Sequence, residues 1–255
     1  MPNFSLLDYL ALFWFLGSWA VYGYVIDHSR WQHRTLSAAM RGQRRRWMHA
    51  MARRENRIVD ASIMSGLQNG TAFFASTAVL AIGAAFALLN STDRMIEVFS
   101  DLEMPTTAAR QIWEVKGMGL LLIYAYAFFK FGWSYRLFNY ASILMGAVPT
   151  ARDVDTPEGW AAVERAAAMA NDAGRHFKLG LRAFFFSIGF LGWFAGPVAF
   201  FCAATLILAV QALRQFASAP HDAVLITADQ AAAMPRPFAP PQGAGKKADD
   251  RPASR

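Results

Sequence analysis

Charge is what this chain has least of. Only 17% of its 255 residues are Asp, Glu, Lys or Arg, against about 25% in an ordinary soluble domain. A single cysteine, Cys202, excludes an internal disulfide framework. The five histidines are spread over the arginine-rich segment (His28, His33, His49), His176 and His221. Their spacing does not converge three or four ligands, so no metal site is expected. There is no Gly-x-Ser-x-Gly elbow and no glycine-rich loop ending in Lys-Ser or Lys-Thr. The apolar runs hold almost no acid, with Asp8 at the edge of the first, which argues against a carrier built on a buried carboxylate. An enzyme is the least supported class, and neither a catalytic residue nor a cofactor is assigned.

What is present is apolar bulk: 55% hydrophobic residues, including 21 phenylalanines and 8 tryptophans. Four stretches, 6–26, 63–89, 117–138 and 183–210, approach or exceed the roughly 20 residues that cross a bilayer core. None alternates polar and apolar, so helices are expected, not barrel strands. No Lys or Arg precedes the first run and no small-residue cleavage site follows it, so it reads as a retained span. The expected fold is all-α: a polytopic four-transmembrane-helix bundle over residues 1–217, with amphipathic cytoplasmic helices in its first and third loops. Residues 218–255, rich in Pro and Ala, are expected to be a disordered tail.

The formal charge of +7 is concentrated between the first two runs, in Arg30, Arg34, Arg41, Arg44, Arg45, Arg46, Arg53, Arg54 and Arg57. A membrane surface is the nearer anionic partner for such a segment, and nucleic acid is not expected. Arg152, Arg165, Arg175, Lys178 and Arg182 lie between the third and fourth runs. The positive-inside rule then puts these two loops in the cytoplasm and both termini outside it. The expected location is a bacterial inner (cytoplasmic) membrane, crossed several times.

From Thr35 to Arg57, Met40, Trp47, Met48 and Met51 recur at helical spacing among arginines. That pattern predicts a helix lying in the interface, with Arg41, Arg44, Arg45, Arg46, Trp47, Arg53 and Arg54 at the membrane surface and a break near Gly42. In the third loop, Thr156, Pro157 and Glu158 form a helix start, with Gly174 as the expected cap. Gly66 and Gly70 in the second run, and Gly192 and Gly196 in the fourth, make small-xxx-small faces for helix packing. Pro197 is expected to kink the fourth span.

Polar residues interrupt two runs. At about 1.5 Å per residue, Gln68, Asn69 and Lys130 fall at similar depth in the cytoplasmic half, with Asp60, Arg136 and Asn139 nearer the surface. Ser134 shares a helix face with Lys130. These seven form a candidate polar binding cluster, in which Arg136 snorkels or meets lipid phosphate and Lys130 either pairs or snorkels.

The segments "LQNGTAFFASTAVL", "FGWSYRLFNYASILMGAVP" and "LRAFFFSIGFLGWFAGPVAFFCAATLILAV" occur here in that order. Together they resemble the membrane-protein family called domain of unknown function 599, over about residues 5 to 217. The resemblance implies a four-span membrane fold of unassigned activity and supplies no catalytic residues. Family members often carry Arg-Asn where this chain has Gln68-Asn69. The expected function is therefore a non-enzymatic integral membrane protein binding anionic lipid, or another anionic group, at its cytoplasmic side. A small oligomeric carrier or channel, and a scaffold or assembly subunit of a membrane complex, are the alternatives; the partners are lipids and either further copies or a membrane complex.

Overall fold

The structure, a computed structural model, describes residues 4–30, 34–101, 110–217 and 223–224. His33 and, apart from Ala223 and Val224, the expected tail 218–255 with His221 lie outside the described residues. The elements are α1 (Leu6–His28), α2 (Leu36–Ala52), α3 (Ile58–Asn90), α4 (Thr92–Asp101), α5 (Arg110–Gly146), α6 (Pro157–Leu191) and α7 (Pro197–Phe216), with a 3-10 turn over Gly192–Ala195.

Local chemistry explains where several helices begin. Ser5 Oγ accepts the Asp8 N–H at 3.2 Å while the Asp8 carboxylate accepts the Ser5 N–H at 3.1 Å, a reciprocal box that satisfies two otherwise orphaned donors. Thr35 caps α2 through the Ala38 N–H, and the helix runs on through Gly42 without the expected break. Thr156 caps α6 through the Gly159 N–H at 3.0 Å, with Pro157 in the first turn. Gly174 does not end that helix; α6 is 35 residues long and runs on to Leu191, into the apolar stretch.

The stretch 183–210, expected as one kinked span, is two helices. Gly196 has a φ of 122°, a conformation that disfavours any residue with a Cβ, and Pro197 starts α7 at the position where its missing N–H costs nothing. The chain therefore reverses instead of bending. At Gly189 a Cβ would lie 3.2 Å from the Ala204 Cα, and at Gly192 2.9 Å from the Ala199 carbonyl oxygen, so the two helices meet almost backbone to backbone. Among the described residues five helical segments are consequently long and apolar enough to cross a membrane, in place of the expected four: α1, α3, α5, α6 with its 3-10 turn, and α7.

Side-chain pairs fix how the helices run. Trp14 donates to Thr205 Oγ1 and Tyr22 to the Gln211 carbonyl, so α1 and α7 are parallel. Ser134 on α5 meets Ala173 on α6, and Lys116 meets Trp193, so α5 and α6 are antiparallel. The start of α1 and the end of α7 thus lie at opposite ends of the bundle, which differs from the expectation of both termini on one side.

Two cores occupy different levels. Phe15, Phe131, Phe186, Phe190, Phe200 and Trp193 fill the first. Met48, Met51, Met64 and Met145 fill the second against the alanine face of α6, which includes Ala162, Ala166, Ala170 and Ala173. Helix α5, with 37 residues, is about 55 Å long at 1.5 Å per residue. It carries the second core beyond the apolar region, and α2 packs there. Outside the first level the surface is apolar, with Phe13, Phe73, Leu80, Phe129 and Val198 all largely exposed.

Candidate functional site

The structure separates the seven residues of the expected polar cluster. Gln68 Nε2 donates to Asn139 Oδ1 at 2.8 Å and Ser142 Oγ at 2.9 Å, joining α3 to α5. Lys130 lies about two and a half turns from Asn139 along α5, at the level where Phe131 stacks on Phe74 of α3. Depth counted from the apolar runs misses this, because α5 extends two turns beyond residue 138. The Lys130 ammonium sits 5.2 Å from the centre of the Tyr126 ring and within electrostatic reach of His176. Asn69 is on the exposed side of α3. Ser134 is fully buried and donates to the Ala173 carbonyl at 2.7 Å. Arg136 is exposed, lies over the Trp133 and Tyr140 rings, and donates to the Tyr140 hydroxyl.

Asp60, instead, joins the arginine-rich segment. Its buried carboxylate accepts from Trp47 Nε1 at 2.7 Å and from Arg54 Nη1 at 2.6 Å, while Oδ2 has no partner. Two of the three α2 methionines do not turn outward: Met48 and Met51 are completely buried against α6 and its neighbours, while Met40 is exposed. Arg45 forms a two-atom contact with Glu164, which also meets His49, and Arg53 lies over Trp160. Arg57 donates to the Val148 and Pro149 carbonyls just beyond the end of α5. Among the described residues, Arg41, Arg44 and Arg46 have no ion pair. The Arg44 guanidinium is pulled below its ordinary pKa by burial and then by neighbouring Arg41, though it stays charged.

Of the packing glycines, Gly192 meets α7, whereas Gly66 and Gly70 have open space where a Cβ would go, and Gly196 acts through its backbone angle.

Two charged groupings escaped the sequence reading. Asp27, at the end of α1, accepts from Lys178 at 2.5 Å and Arg182 at 3.1 Å, and the Arg182 guanidinium lies over the Tyr22 ring. Lys178 and Arg182 are four residues apart on one helix, a spacing that places them on one face. That signal was present, but the apolar count treated both as loop residues. At the opposite end, buried Lys116 donates to the Trp193 carbonyl at 2.8 Å, and Trp193 Nε1 donates to buried Asp8 at 2.7 Å. This pairing of three distant segments has no sequence signal.

Two cavities are informative. One of about 490 Å³ lies between α3, α5 and the end of α6, with an almost entirely apolar lining that includes Leu88, Trp113, Tyr124 and Phe194. Another, of about 200 Å³, lies between α2 and α6 and is lined by Arg41, Arg44, Arg175 and Lys178 together with Asn171. Among the described residues no three His, Cys, Asp or Glu side chains group as metal ligands.

These features define an all-helical bundle with five segments apolar enough for membrane crossing and a cationic groove at one end. The chain belongs to the family described as protein of unknown function, DUF599, whose model matches residues 10–220. Neither the curated proteins nor the solved structures contain a match to it.

Proposed function

We propose that this chain is an integral protein of a bacterial inner membrane that binds anionic lipid at its arginine-rich, cytoplasmic end, as a binding protein and not as an enzyme. The observation that carries the reading is the uneven ion pairing. Arg41, Arg44, Arg46 and Arg175 lie at one end of an apolar bundle without a carboxylate in ion-pair range among the described residues. Each basic residue near an anionic leaflet is worth about 1 kcal/mol, so several together favour such a surface strongly. Native mass spectrometry of protein extracted in mild detergent tests this. Retention of anionic over zwitterionic lipid is expected; equal retention overturns it.

In this arrangement five crossings put the N-terminus outside and the end of α7 in the cytoplasm, with the arginines. A reporter fused to the C-terminus should be active in its cytoplasmic form; a periplasmic signal there would exclude the five-crossing topology.

Self-association is a second reading, favoured by the outward face of α3. Gly66, Gly70 and exposed Asn69 lie there, and in lipid an unpartnered amide beside small residues is best satisfied by another helix. Cysteine crosslinking at position 66 or 70 in native membranes should give a dimer band; monomer alone counts against it.

A further inference from the structure

The groove between α2 and α6 has too much positive charge for its own protein. Arg41, Arg44, Arg175 and Lys178 line it, and Arg182 lies one turn beyond Lys178. The carboxylate that meets this group is Asp27, shared between Lys178 and Arg182. Arg41, Arg44 and Arg175 therefore line a space of about 200 Å³ with no carboxylate in ion-pair range among the described residues, while Lys178 shares Asp27 with Arg182.

Arg44 does not escape into solvent as a long basic side chain ordinarily does. Its guanidinium lies flat against α6 at Gly174, where a Cβ would come within 2.7 Å of Cζ. Among the described residues it has no hydrogen-bond acceptor, and its charged neighbour is Arg41. A half-buried cation beside another cation favours a counter-ion, and among the described residues no carboxylate reaches it. Asn171, on the same wall, has a buried Oδ1 without a partner.

Guanidinium forks match phosphate oxygens in a two-point contact, and a surplus of several charges favours a dianion over a monoanion. A phosphomonoester carries between one and a half and two negative charges near neutral pH, roughly, whereas a phosphodiester carries one. The space equals about seven water volumes at ~30 Å³ each, enough for a phosphoryl group. Met40 and Phe177 line the same groove, giving an apolar exit for a chain attached to that group.

Resting on the reading of an anion-binding end, we propose that this groove is a specific phosphomonoester site, with Arg44 on Gly174 as its central contact. The phosphoryl group is supplied either by a lipid such as phosphatidic acid or by free phosphate.

The experiment uses the full chain in mild detergent, with phosphatidic acid, phosphatidylglycerol, phosphatidylcholine and inorganic phosphate as probes, read by native mass spectrometry and thermal unfolding. Phosphatidic acid should be retained at least tenfold over phosphatidylglycerol, and Arg44→Gln should remove that preference while Arg46→Gln leaves it intact. Because Arg44→Gln also relieves repulsion, its unfolding temperature without ligand should not fall. Asn171→Asp supplies an internal anion; it should raise the ligand-free unfolding temperature and abolish phosphatidic acid binding. Competition by millimolar phosphate identifies the headgroup as sufficient, and binding of phosphatidic acid without such competition identifies the lipid as the source; both support the site. Equal retention of the two anionic lipids, lowered alike by Arg44→Gln and Arg46→Gln, overturns the groove but leaves the anionic-surface reading standing. Retention of phosphatidylcholine equal to both overturns the two together.

Discussion

The two ends of this bundle solve opposite electrostatic problems. At the end holding the start of α1, Lys116, Asp8 and Trp193 bury one positive and one negative group beside each other and join α1, α5 and the α6–α7 turn. Each polar atom there has a named partner, and the charges cancel. At the other end Asp27 balances part of a larger cationic group, and Arg44 rests against α6 with no acceptor among the described residues. A closed network of this kind rigidifies a turn, whereas a surplus invites something from outside. The contrast teaches where to expect ligand-dependent behaviour: at the arginine-rich end, and not at the sealed one.

The sharpest way to break that contrast is Asp27→Ala. Lys178 and Arg182 would both lose their carboxylate, which by the usual cost of orphaning a buried ion pair removes about 3–5 kcal/mol of stability. Thermal unfolding in detergent should show the loss, and added phosphate should recover part of it. At the sealed end, Lys116→Met leaves the Trp193 carbonyl without its donor and Asp8 without a nearby cation. A loss of about 2–3 kcal/mol is expected, with no recovery by phosphate; recovery there would remove the distinction between the ends. Smaller again is Trp47→Phe, which deletes the indole N–H held by buried Asp60. Unfolding measurements should register about 1.5 kcal/mol, in the range for hydrogen bonds to charged groups. Least of all, Arg110→Gln removes exposed contacts to Asp93 and Glu114, and the unfolding temperature should not move, because water screens such pairs.

Much of the helix pattern was legible. The runs at 6–26, 63–89 and 117–138 lie inside α1, α3 and α5, and the Thr156-Pro157-Glu158 start of α6 matches its observed cap. The fourth run was not legible as two helices. Its apolar composition is continuous from Ala183 to Val210, so hydropathy carries no signal at the reversal, and the decisive fact is the backbone angle of Gly196. The expected polar cluster failed to assemble for a different reason. Distance from the ends of apolar runs puts Gln68 and Lys130 at one level, whereas the register of α3 against α5 is set by contacts such as Gln68 with Asn139 and Phe74 with Phe131. For Met48 and Met51 of α2, periodicity identifies an apolar side without naming what covers it. Here the alanine face of α6 covers it.

By itself the sequence determined the all-helical character, the apolar segments and the concentration of arginine in one stretch, since these follow from composition and from residues close along the chain. Only the tertiary structure decided which arginines find carboxylates and which do not. Asp27 lies 151 residues from Lys178, and Arg44 reaches α6 because residue 174 lacks a side chain. Electrostatic balance depends on distances of a few ångströms, and such distances are set by packing between segments remote in sequence.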